Sequence, residues 1–297
     1  MKRLIKNSLL CFLSLTIWST NDCVAQNLKS YGLEGKVKSV REYHYKPLED
    51  CDYCEDIQRD STTLEFNVSG NIIKMTEWNN SHFVEGLHKD VTTYRYNGNG
   101  KIVEKRKESH NDIVTITKYI RDAQGYIVRE EEYHRYFAFK KMNEELSSIK
   151  YRKNNSNGTA SETSLYHCSY TGKKLLSRSF FDENGYLTKT IHYSDNDETS
   201  EETYSREFYS TGIVAKEKEF FSDKEVKNIV RNITTWDEKG SITSDTRYII
   251  DAKGNHKFWW KKTYSFTYDS YGNWITMKII TNDDYMDIYK RKITYYK

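Results

Sequence analysis

Proline is almost absent. Pro47 is the only one in 297 residues, against roughly 5% in average proteins. Proline cannot donate to a β ladder, so its exclusion leaves the chain free to run as near-continuous sheet. One-sided charge is missing too: 46 Lys and Arg stand against 43 Asp and Glu. A balance of that kind excludes nucleic acid as the expected partner, because the phosphate backbone selects for basic surfaces. No apolar run approaches the roughly 20 residues that a membrane-spanning helix needs. Catalytic signatures are missing as well. There is no GxSxG, HExxH or phosphate-loop pattern, and Asn97-Gly98-Asn99-Gly100 is too short for a dinucleotide fingerprint.

What is present begins with a leader. Met1 to Lys6 is basic, Ser8 to Ser19 is apolar, and Cys23-Val24-Ala25 follows. This is the pattern of a secretory signal peptide cleaved after Ala25. Residues 1–25 are therefore assigned to the signal and 26–297 to one mature domain. Asn21-Asp22 before Cys23 does not suit a lipoprotein. Cleavage removes Lys2, Arg3, Lys6 and Asp22, and so lowers the net charge from +3 to +1. The mature chain is expected to be exported, in the periplasm, on the outer surface or outside the cell.

A short pattern recurs through that domain. An apolar residue, often aromatic, is followed by Asp or Asn, two free positions, Gly, one free position and another apolar residue. Its clearest copy is Tyr268-Asp269-Ser270-Tyr271-Gly272-Asn273-Trp274. Further copies centre on Gly70, Gly100, Gly125, Gly185, Gly212, Gly240 and Gly254, and weaker ones on Gly35 and Gly172. Asp or Asn at the first position of a type I turn accepts a backbone hydrogen bond from two residues on. Gly at the fourth position takes positive φ without steric cost, closing a hairpin with a bulge. Internal repetition of this kind sets the architecture.

The Tyr268-Asp269 copy, with the relaxed Phe181-Asp182, Trp236-Asp237 and Ile250-Asp251, resembles the YD-repeat (rearrangement-hotspot, Rhs-like) family. The resemblance covers roughly residues 28 to 297 and lies in the repeated turn alone. It implies an extended, curling β-sheet, and a short secreted bacterial member of the family rather than a large one enclosing a toxin.

Composition agrees with an all-β fold. Tyr alone supplies 25 residues, and aromatic and β-branched residues favour strands. Tyr264, Phe266 and Tyr268 alternate with Thr263, Ser265 and Thr267, the period of a sheet with one buried and one wetter face. The expected architecture is an open antiparallel meander of hairpins, solenoid-like. One short helix is expected near 139–150, where Met142, Leu146 and Ile149 fall at helical spacing. A subdivision of the domain, if there is one, falls in the polar loop at 153–163.

Candidate sites are few. Cys51 and Cys54 read as a small disulfide stapling a loop in an oxidising compartment, because a redox CxxC needs a helix N-terminus to stabilise its thiolate. Asp195 to Glu198, and Asp283 and Asp284 with Asp287, lack the spacing and central Gly of an EF-hand and read as solvated loops. No cofactor is expected. Phe258-Trp259-Trp260 should place Trp259 and Trp260 on opposite faces of one strand, leaving one of them on the wetter face. Trp259, Trp260 and Trp274 are thus the candidate ligand-binding residues. The expected function is that of a non-enzymatic interaction or surface-associated scaffold whose partner is a protein or glycan at the cell envelope. A carbohydrate-binding module using those tryptophans is the alternative. A hydrolase with carboxylates drawn from separate hairpins is a third.

Overall fold

The computed structural model describes residues 27–46, 57–80, 87–110, 113–136, 144–195, 197–250, 256–283 and 285–297. The leader, Pro47, Cys51, Cys54, Gly254 and residues 139–143 lie outside them. A single 3-10 turn, Leu28–Tyr31, precedes the strands. These are β1 Val37–Lys46, β2 Ile57–Phe66, β3 Ile72–Asn80, β4 Leu87–Tyr96, β5 Ile102–Glu108 and β6 Ile113–Arg121. Next come β7 Ile127–Tyr136, β8 Glu145–Asn154, β9 Ala160–Ser169, β10 Gly172–Phe181, β11 Leu187–Ser194 and β12 Asp197–Phe208. The last six are β13 Val214–Asp223, β14 Ile229–Trp236, β15 Ile242–Ile250, β16 His256–Tyr268, β17 Trp274–Thr281 and β18 Tyr285–Tyr295.

Each strand pairs antiparallel with the next in sequence, and β18 returns to pair with β1 from Val37↔Tyr295 to Tyr45↔Ile288. The sheet is therefore a closed, 18-stranded up-and-down barrel. This corrects the expectation of an open, solenoid-like meander. The turns are the same in either case, but closure gives β1 and β18 each a second ladder and so removes both exposed edges.

The expected helix is also corrected. Glu145 to Lys150 belong to β8, with Leu146 opposite Tyr133 and Ile149 between Glu131 and Tyr166. Ladders on both sides of β8 override a weak helical spacing. In the polar loop, Asn155 to Gly158 form a turn of the recurrent kind, and the sheet passes through it with Asn154 paired to Ala160.

Among the described residues, the turns of the recurrent kind lie at one end of the barrel, at β2–β3, β4–β5, β6–β7, β8–β9, β10–β11, β12–β13, β14–β15 and β16–β17. In the Asp269 copy, Asp269 N–H donates to the Asn273 carbonyl and Gly272 N–H to the Asp269 carbonyl. The Asp269 carboxylate accepts from the N–H groups of Tyr271 and Asn273. Gly272 has φ +87°. Gly158, whose turn has Asn154 in place of the leading apolar residue, has φ +85°. Gly172 instead follows the two-residue β9–β10 connection at the opposite end, which also carries the more varied loops.

The bulge after each turn brings the apolar flanks onto one face: Phe66 opposite Ile72, Tyr96 opposite Ile102, Trp236 opposite Ile242, Tyr268 opposite Trp274. Leu28, Tyr31 and Leu33 pack with this face of β1 to β4, around Val40, Leu64, Phe66, Ile72 and Tyr94. A one-layer wall has no second sheet to cover it, so across β1 to β4 the face whose side chains bury one another is the concave one, although Val114, Ile116 and Ile149 are buried on the opposite face. In β4, Asp90, Thr92 and Tyr94 are buried while Lys89, Thr93 and Arg95 are exposed. The former line the lumen. About eight strands suffice for side chains to fill a barrel, whereas 16 to 18 leave it open.

Side chains also brace neighbouring hairpins. The carbonyl just past a turn accepts a bond from the next hairpin: Ile72 from Tyr96 at 2.6 Å, Ile102 from Arg121 at 3.1 Å, Ile127 from Asn154 at 2.9 Å and Leu187 from Arg206 at 2.6 Å.

Both faces carry charge along the strands. The lumen side has Glu77, Asp90, Lys107, Glu202, Arg206, Glu219, Asp245 and Arg291; the outer side has Arg41, Lys89, Arg106, Lys118, Glu131, Lys189, Lys218 and Lys278. An Arg or Lys facing lipid at mid-membrane costs about 2–4 kcal/mol. Neither face forms the continuous apolar band of a lipid-embedded barrel.

Candidate functional site

The lumen wall from β12 to β16 gathers the densest set of chemically able side chains. Tyr204 stands directly opposite Glu219 across the β12–β13 ladder, and Arg206 opposite Glu217. A bulge in β14 inserts Arg231 beside them. Its Nη1 lies 2.7 Å from Glu202 Oε1 and 3.5 Å from Glu219 Oε1. The Tyr204 hydroxyl donates to Glu202 Oε2 at 3.1 Å, and Arg206 is paired with Glu217. On β15, Asp245 accepts from the Thr234 hydroxyl at 3.4 Å. Burial raises the carboxyls of both Glu219 and Asp245 above their ordinary range. Burial, then the nearby Glu202 charge, raises the Tyr204 phenol.

These are the inward carboxylates that a glycosidase reading needs. Glu202 and Glu219 converge on one guanidinium, however. That is the geometry of an ion network, in which the carboxylates are committed to a cation, and not of an acid–base pair flanking an open space.

Toward the loop end, the wall becomes aromatic. The β15–β16 register pairs Arg247 with Trp260 and Tyr248 with Phe258, which leaves Trp259 as a bulge residue. The consequence corrects the sequence expectation. The rings of Trp259 and Trp260 lie side by side, 6.3 Å apart at 53°, and not on opposite faces. A bulge breaks the period of two, and here it turns consecutive side chains the same way. Trp259 is 50% exposed. The Arg247 guanidinium sits 5.6 Å from the Trp259 ring centre and the Lys262 ammonium 5.1 Å from that of Trp260. Phe258 is also exposed, on the outer face, against Tyr248.

Trp274 does not join this group. It is buried under the Arg291 guanidinium, 3.4 Å from the ring centre. Arg291 is itself paired with Glu42 at 2.9 Å across the β1–β18 seam, and burial lowers its pKa. Trp274 is thus part of the closure, which corrects its candidacy as a ligand residue. Asn273 beside it is fully buried. Its Oδ1 accepts from Glu34 N–H at 2.6 Å, while its Nδ2 donates to the Glu34 carbonyl at 3.0 Å and to the Tyr295 hydroxyl at 2.8 Å. Tyr295 in turn donates to Asp269, and burial together with that carboxylate pushes its phenol up to about 12. The turn nearest the repeat pattern is therefore the latch that holds the start of the chain to its end.

Other sequence candidates have local partners. Asp195 is bonded to Lys174 at 2.7 Å and Asp287 to His44 at 2.8 Å. Arg231, Arg247 and Lys262 carried no signal in the sequence; only the ladder register brings them beside the carboxylates and tryptophans.

No protein-family model matches the chain, and no curated protein matches it. Among solved structures, a porin-like protein from Bacteroides uniformis aligns over 87% of this chain and 98% of its own, with a TM-score of 0.41 and 11% identity. A porin-like protein from Bacteroides vulgatus aligns over 88% and 98%, with a TM-score of 0.32 and 10% identity.

Proposed function

We propose that the chain is an exported, non-enzymatic β-barrel of YD-repeat-type hairpins that binds a glycan at the cell envelope through the tryptophans of its loop-end rim. The observation that carries this reading is the pair Trp259 and Trp260, adjacent on one face with Trp259 half exposed. Flat, amphipathic rings of this kind suit the apolar faces of sugars. Export rests on the basic and apolar pattern of residues 1–25, and the charge on both faces supports a wall in contact with water. The interaction-only character rests on the commitment of Glu202, Glu217 and Glu219 to arginines.

The test is tryptophan fluorescence of the mature chain, residues 26–297, titrated with a panel of soluble polysaccharides. A saturable shift that is lost in Trp259→Ala, in a variant that keeps its unfolding transition, is the expected result. A panel in which nothing saturates refutes the glycan reading and directs the search to a protein partner.

A further inference from the structure

The cations beside the rim tryptophans differ from four others that line the lumen. Lys107, Arg206, Arg231 and Arg291 each reach a carboxylate, at 3.0 Å for Lys107 on Asp90 and 2.9 Å for Arg291 on Glu42. Arg247 and Lys262 make no ion pair among the described residues and lie instead over the two indole rings. Lys257, exposed and paired in register with Ile249, adds a third positive charge at the same rim. Asp245, opposite Lys262 in the ladder, is the nearest carboxylate, and both cations act on it electrostatically without reaching it in an ion pair. A cation above an aromatic face gains only about 0.5–1 kcal/mol when exposed, so two such cations side by side remain available to an incoming anion.

Resting on the glycan reading above, we infer that this site takes an acidic oligosaccharide, one whose uronic acid carboxylates meet Arg247 and Lys262 while its sugar faces stack on Trp259 and Trp260. A sugar ring spans about 5 Å, which is comparable to the 6.3 Å between the indole centres, so consecutive residues can occupy consecutive rings. The fork of Arg247 suits a carboxylate bidentately.

The experiment is calorimetric titration of the mature chain with oligogalacturonate, with the same oligomer fully methyl-esterified, and with poly-glutamate. The ester keeps the rings and removes the charge. Oligogalacturonate is expected to bind at least tenfold more tightly than the ester, with affinity falling as salt rises. Lys262→Gln and Arg247→Gln are each expected to remove most of that preference. Lys257→Gln, at an exposed position, provides a variant whose folding is not in question and is expected to reduce the preference by a smaller factor. Equal binding of acid and ester overturns the inference and leaves the glycan reading standing. Poly-glutamate binding as tightly as oligogalacturonate overturns it in favour of an acidic peptide. No binding by either sugar overturns the inference, and the polysaccharide panel then decides the glycan reading separately.

Discussion

Asn273→Ala should open the barrel at its seam. The side chain is fully buried and makes three hydrogen bonds, two to the backbone of Glu34 and one to Tyr295. A typical intramolecular bond contributes about 1 kcal/mol net, and a stranded polar partner costs about 1–3 kcal/mol. Glu34 is itself exposed, so water can reach part of what is left, and the low end of that range applies. A loss of about 3 kcal/mol is expected, measured by denaturant unfolding of residues 26–297. The loss should be local in origin. Amide exchange should rise first in β1 and β18, which the latch holds together, and not in β8 or β9 on the far side. Ser241→Ala removes the residue at the equivalent position of the β14–β15 turn, where the side chain bonds only Tyr268, and should cost under about 1 kcal/mol. Equal losses for Asn273→Ala and Ser241→Ala would refute the latch.

Other consequences can be checked on the same material. Tyr96→Phe strands the Ile72 carbonyl and should cost about 1–2 kcal/mol in unfolding free energy. Gly212→Ala meets only the penalty of φ +81° with open space around it, about 1–2 kcal/mol. Gly158→Ala adds a clash with the Tyr126 ring at φ +85° and should lower the melting temperature distinctly further. Asp245, whose folded pKa lies above its unfolded value of about 3.9, favours folding below that value, and this contribution is lost as pH rises through the folded pKa. Asp245→Asn should therefore be more stable than the parent at pH 7, with the gap closing toward pH 4. Asp90 has the opposite sign. Burial works against its charge, but Lys107 and His110 hold its pKa below the ordinary value. Its contribution is present above the unfolded pKa and lost as pH falls through the folded one, so Asp90→Asn should cost more stability at pH 7 than in acid.

Much of the architecture could be read from local chemistry. Asp or Asn, then Gly three residues on, needs nothing beyond its own six residues to form a turn, and so the hairpins and the all-β class were legible in the chain. The same locality explains the misreadings. The turn at Gly158 has Asn154 where the template has an apolar residue, and Asn154 serves instead by bonding Ile127. Gly172 fits the template in part but sits at the opposite end of the barrel.

Closure was beyond local reading, because β1 and β18 are separated by nearly the whole sequence, and the accumulated twist and tilt of 18 strands decides whether their edges meet. The site depended on register. One extra residue at Trp259 turned two indoles onto one face, and the neighbouring strand then set Arg247 and Lys262 over them. Sequence alone determined that this protein is made of β-hairpins, because each turn is a local energy minimum. Only the tertiary structure decided that the hairpins close, that Trp274 is buried in the seam and that Trp259 stands at the rim, because each depends on strands that meet only in the folded chain.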